Sequence, residues 1–142
     1  MMMLERTTGC GLVTDNYVNK KIFLAGWVHR RRDHGGLIFV DLRDRTGLMQ
    51  LVFNPEFSQM VHEQAHKLRS EYVIAVYGTV IERAFETINK EIATGKWELH
   101  VERLDILNTS KIQFIQTSLL TAVEKLFKVK KFEFWVVLLV VF

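Results

Sequence analysis

The chain has 142 residues, 49% of them hydrophobic and 25% charged, which suffices for one ordinary domain with a buried core and excludes a disordered or repeat-built protein. Its formal net charge of +3 admits an anionic partner without demanding one, because a mild excess of Lys and Arg is common on solvated surfaces. The single cysteine, Cys10, excludes an intramolecular disulfide and suits a cytoplasmic setting, while Glu5 and Arg6 interrupt the stretch a secretory signal would need and no apolar run reaches the about 20 residues of a membrane span.

Gly9-Cys10-Gly11 is too short for a phosphate loop and reads as a turn, with Cys10 a small packed group. Residues 22–32 form a first predicted strand, rich in β-branched and aromatic side chains until it runs out into Arg30-Arg31-Arg32-Asp33, and His34-Gly35-Gly36 is a turn. Residues 37–43 give a second strand, which Arg45-Thr46-Gly47 turns tightly into a third over 48–53. Asn54-Pro55-Glu56 breaks that strand and opens a helix, on which Phe57, Met60, Val61, Ala65 and Leu68 recur at helical spacing. A fourth strand over 71–81, a polar loop over 82–96 and a fifth strand over 97–107 complete the series. His62 and His66 stand at i, i+4 on the helix, a spacing that metal ligands use, but no Cys, His or Glu constellation accompanies them; they read as structural or solvated, and no metal site is expected.

Three meandering strands, a helix and two more strands is the order of the five-stranded OB barrel, an all-β Greek-key fold with one helix between strands 3 and 4. Such barrels bind oligonucleotides on the strand 2 and 3 face and two neighbouring loops, but a fold alone does not establish function. The residues on that face must carry the case.

Side chains alternate across a strand. Ile38, Val40 and Leu42 then belong to the core, and Leu37, Phe39, Asp41 and Arg43 to the outer face. In the third strand Met49, Leu51 and Phe53 are core and Leu48, Gln50 and Val52 outer; in the fifth, Trp97, Leu99 and Val101 alternate with outer Glu98, His100 and Glu102. An aromatic ring among charged neighbours, as at Phe39, is suited to stacking on an unpaired base. Gln50 is a candidate for reading a base edge, and the Glu98 carboxylate can accept from an exocyclic amine or ring nitrogen. Arg30, Arg31 and Arg32 suit phosphate contacts. The alternatives are plain: Phe39 as a rim residue covered by another segment, Gln50 and Glu98 on a solvated strand face, the arginines as a solvated strand end. Their convergence on one face favours a binding surface.

Residues 26–47, GWVHRRRDHGGLIFVDLRDRTG, together with QLVFNPE at 50–56, GTV at 78–80 and ATG at 93–95, resemble the N-terminal domain of bacterial aspartyl-tRNA synthetases over roughly residues 6–111. The related lysyl and asparaginyl enzymes share the fold but differ in the turn between strands 1 and 2. The resemblance implies that Phe39 stacks on the central anticodon base, that Gln50 hydrogen-bonds it, that Arg32 contacts the anticodon stem-loop and that Arg83 and Glu98 touch flanking bases. Arg30, Arg31 and His34 are candidates for phosphate or turn contacts, and Thr87 stands where the family often has Asn. The implied partner is the tRNA for aspartate, with that for asparagine in members tolerant of both, and the full-length family forms homodimers. ATP and magnesium serve the full-length family through a class II Arg-x-Glu loop and a late Gly-rich, Arg-bearing segment. Neither occurs here, so no catalytic residue, cofactor or activation of aspartate is expected of this chain. A free-standing OB protein that binds single-stranded RNA or DNA is the rival reading.

Residues 1–111 are accordingly expected to be the OB domain, and 112–142 an atypical apolar and basic tail. In the tail Ile115, Leu119, Ala122, Leu126 and Val129 have the spacing of a short amphipathic helix, and residues 134–142 are apolar and β-prone. The abrupt loss of resemblance near Lys111 points to a frameshifted or truncated gene product; a tail that lies on a membrane or a partner is the other reading.

Overall fold

The alternation along residues 21–53 becomes three consecutive antiparallel strands in the computed structural model, which describes residues 7–109. β1 (Lys21–His34) turns into β2 (Leu37–Asp44) at Gly35-Gly36, both with positive φ (61° and 83°), a region side chains disfavour. β2 turns into β3 (Gly47–Phe53) through Arg45-Thr46, and the turn is nailed down by Asp44. One oxygen of this buried carboxylate accepts from the Thr46 N–H at 2.7 Å, the other from the Cys10 N–H at 2.9 Å. Gly9-Cys10-Gly11 is indeed a turn, the start of a short 3-10 segment, and the buried Cys10 thiol faces the Ala25 carbonyl.

The helix is shorter than its apolar spacing suggests. α1 (Gln59–Ala65) begins at Ser58, whose hydroxyl accepts from the Val61 N–H at 3.3 Å as an N-cap. Val61, Ala65 and Leu68 are buried as predicted, whereas Phe57 (49% exposed) and Met60 (71%) are not, because Phe57 precedes the helix and so brief a helix turns only a narrow stripe inward. His62 Nε2 lies 3.0 Å from the Gly36 carbonyl and its ring meets His66 edge-on. Among the described residues no group of three or more His, Cys, Asp or Glu is arranged to hold a metal ion, and no helix is long and apolar enough to cross a membrane.

β4 (Val73–Glu82) and β5 (Trp97–Asn108) close the structure. β5 runs antiparallel to β4 and parallel to β3, and β4 returns to β1, so the order β1-β2-β3-β5-β4 is a closed barrel without a free sheet edge. This is the predicted five-stranded barrel with its helix between β3 and β4. Both inner sets of β2 and β3 are buried with Leu24, Val76, Leu99 and Val101, and Trp97 packs half-buried on their margin. A register shift at Tyr77/Gly78 brings β4 and β5 so close that a Cβ on Gly78 would stand 2.1 Å from the His100 carbonyl oxygen. The predicted boundary at Lys111 and the tail over 112–142 lie outside the described residues.

Candidate nucleic-acid interface

On the outer face of β1, β2 and β3, beneath the loop between β4 and β5, lies an open cleft of about 420 Å³. β1 extends past the barrel body, and the two-residue period along that extension aims Arg30, Arg32 and His34 into the cleft. Arg31 faces away. Its Nη1 donates to the carbonyls of His66 (2.6 Å) and Leu68 (3.2 Å) just past α1, and its Nε pairs with Asp33 at 3.0 Å. Arg31 thus clamps the chain end of α1 to β1 and does not join the other arginines.

Arg32 and Phe39 are register partners on β1 and β2, which sets the guanidinium carbon 5.5 Å from the ring centroid, within cation–π range. Arg32 Nη2 donates to Gln50 Oε1 at 3.0 Å and lies 3.8 Å from Asp41 Oδ1. Its Nε is a buried donor with no hydrogen-bond partner among the described residues, so the side chain retains unused donor capacity. Gln50 Nε2 donates in turn to Glu98 Oε1 at 3.0 Å.

The period-two reading needs two corrections here. Gln50 does stand on the outer face, but it is only 8% exposed rather than open to solvent, because Arg32 from one side and Glu98 from the other close over it. Val52, also predicted outside, is buried between its register partners Phe39 and His100. One Nε2 hydrogen and one Oε1 lone pair of Gln50 remain beyond these two bonds, a donor and an acceptor of the kind that reads a base edge.

Arg83 shapes the wall. Its Nε donates to the Trp97 carbonyl at 3.0 Å and its Nη1 to the Thr87 carbonyl at 3.2 Å, which fastens the 3-10 turn Phe85–Thr87 beside the cleft. Burial pushes its guanidinium below the ordinary arginine value; Glu98 and Asp41 pull it back up, and Arg32 adds to the lowering. Arginines interleaved with carboxylates and one aromatic ring make a surface that can hold phosphate at its rim and a base against Phe39. Arg32, Phe39, Gln50 and Arg83, with Arg30 and His34, are therefore brought together in the cleft, whereas Glu98 does not line it and joins them through its hydrogen bond from Gln50. Asp41, Thr87 and Asn89 also line the cleft; Asn89 sits in a loop with no periodicity to read, and only the structure reveals that it faces Arg83 and Phe39.

The family model for tRNA anti-codon, an OB-fold nucleic acid binding domain, matches residues 22–107, a span that contains every one of these side chains. The chain belongs to this family. Over 109 residues the OB domain is 55% identical to an aspartate–tRNA ligase of Staphylococcus epidermidis, a match that covers 77% of this chain and 18% of the ligase. An aspartate–tRNA(Asp/Asn) ligase of Brachyspira hyodysenteriae is 56% identical over 101 residues, covering 71% of this chain and 17% of that one. The asparaginyl-tRNA synthetase of Pyrococcus horikoshii, solved with asparaginyl-adenylate, shares the fold at a TM-score of 0.63 and 23% identity, over 89% of this chain and 35% of its own. The chain spans less than a fifth of the length of the two ligases it matches.

A second, shallower depression lies round the barrel, where Lys21, Thr79 and Glu102 meet Phe57 and His100. The hydrogen bond from Lys21 (2.8 Å) is the main cause that holds the Glu102 carboxyl below its ordinary value, and the same bond raises the Lys21 ammonium.

Proposed function

We propose that this OB domain binds the anticodon loop of a tRNA for aspartate, as the recognition module of an aspartate–tRNA ligase whose catalytic activity, ATP and magnesium reside in other sequence. The observation that carries this reading is the cleft lined by Phe39, Arg32 and Gln50, with Glu98 connected to them through Gln50. Unpaired RNA bases are recognised by stacking and by their hydrogen-bonding edges, and this set offers both. Phe39 takes the face of the central anticodon base, the free donor and acceptor of Gln50 take its edge, and Arg83 and Glu98 border the flanking bases. Arg30 and Arg32 meet phosphates, and His34 stands beside them at the turn between β1 and β2. A whole ligase built on this domain would work in the cytoplasm as a homodimer.

Binding of an aspartate anticodon stem-loop, set against loops altered at each anticodon base and against unrelated single strands of RNA and DNA, tests the proposal. Gln50→Ala is expected to shrink discrimination at the central base, by up to about 1 to 3 kcal/mol for the loss of a two-bond contact, with little change for loops already wrong there. Equal binding of all single strands would replace this reading with that of a general single-strand binder. Arg32→Ala is expected to weaken binding and to make the slope of log K against log salt shallower by about 0.7, the contribution of one phosphate on a single strand. Titration at four salt concentrations measures it, and an unchanged slope would remove Arg32 from the phosphate contacts.

A further inference from the structure

The hydrogen-bonded chain does not stop at Glu98. His100 Nε2 lies 2.9 Å from Glu98 Oε2, and the His100 ring is stacked against Phe57 with centroids 4.8 Å apart and planes tilted by 34°. Glu98 and His100 are two residues apart on β5 and so share its outer face, while the parallel register sets His100 beside Val52 of β3, two residues on from Gln50. His100 itself opens on the second depression and does not line the cleft.

An amide side chain is nearly symmetric in shape, and its neighbours alone decide which end is oxygen. At Gln50 the arginine donor demands the oxygen on one side and the carboxylate acceptor demands the NH2 on the other. The carboxylate can enforce this only if it is itself held, and its second oxygen is held by His100. An ionised carboxylate only accepts, so the imidazole must present Nε2–H to it. Phe57, on the segment ahead of α1, keeps the ring in place.

We propose that His100, backed by Phe57, is a positioning residue: through Glu98 it fixes the orientation in which Gln50 presents its amide, and thereby the base preference of the cleft, without touching RNA. The inference rests on the anticodon reading proposed above. Loss of the Nε2–H donor lets the Glu98 carboxylate turn away from Gln50, so that the Arg32 contact alone is left to set the order of donor and acceptor and the preference weakens. Stacking on Phe39 is untouched.

The test uses the full chain with three substitutions at His100 and Gln50→Ala as reference. His100→Gln keeps an N–H donor at a similar reach; His100→Phe keeps a ring against Phe57 but has no donor; His100→Leu lacks both. Dissociation constants are measured for stem-loops that differ only at the central anticodon base, with thermal unfolding alongside, and the Gln50 side-chain amide is followed by NMR without RNA. The expected result is that His100→Gln discriminates as the parent does, whereas His100→Phe and His100→Leu lose about tenfold in discrimination, approaching Gln50→Ala. The Gln50 NH2 pair should exchange slowly with solvent in the parent and in His100→Gln, and should exchange faster and move towards the shifts of a free glutamine in the other two. If Gln50→Ala itself discriminates like the parent, the anticodon reading fails. If Gln50→Ala loses discrimination while folded His100→Phe or His100→Leu keeps it, or if His100→Gln loses as much as they do, the positioning role is overturned. Should both donor-free variants fail to fold, His100 is a structural residue and the proposal falls.

Discussion

Phe39→Ala is expected to weaken binding by on the order of 1 to 3 kcal/mol for every loop that presents a base to the cleft, because stacking accepts the face of any base. The barrel should hardly notice. The ring lies on the outer face of β2, between the core residues Ile38 and Val40 but pointing away from them, and its chief companion is the Arg32 guanidinium. Removal therefore leaves no cavity inside the barrel; it uncovers part of Val52 on the outer face and forfeits a partly exposed cation–π contact, the latter worth about 0.5 to 1 kcal/mol. A truncated core Phe would instead cost about 3 to 5 kcal/mol of stability. Thermal unfolding and stem-loop titration on one preparation separate the two cases: a large fall in melting temperature would place the ring in the core, and unchanged affinity in a folded variant would remove stacking from the interface.

Gly78→Ala is expected to destabilise the barrel by about 1 to 3 kcal/mol, the range for forcing extra volume into a packed interior. The added methyl would meet the His100 carbonyl oxygen at 2.1 Å and the Val101 Cα at 2.9 Å, all backbone atoms that cannot swing aside as a side chain would. β4 and β5 must separate at the place where their register already shifts, and the strand that moves carries His100 and, two residues back, Glu98. A lower melting temperature should thus come with poorer discrimination at the central base, even though Gly78 is remote from the cleft. A variant that melts with the parent would show that the two strands do not approach so closely.

The barrel was legible because its signals are local. Strict alternation in Ile38/Val40/Leu42 and Met49/Leu51/Phe53 assigns faces with no knowledge of partners, and Gly35-Gly36 marks the hairpin by its backbone freedom. Phe39 and Glu98 were legible for the same reason. What alternation cannot say is which neighbouring side chains fold over an outer residue, and so Gln50 read as open when Arg32 and Glu98 enclose it. Arg31 and Arg32 are adjacent and identical in type, and alternation sets them on opposite faces; that Arg31 serves the end of α1 follows only from the path of the chain after Ala65. Asn89 and His100 escaped for a related reason, since each takes its place through a loop or a relay of contacts rather than through a pattern in its own segment.

The Arg31 clamp carries a kinetic consequence. Because it ties the extension of β1 to the carbonyls past α1, the strand that bears Arg30, Arg32 and His34 is held in place by the protein itself and should keep its shape when RNA binds. Little of the protein must be ordered on contact, so encounter should run at the pace of diffusion and charge attraction, with a rate that falls as salt rises. Correct and incorrect loops would then arrive equally fast and differ in residence time.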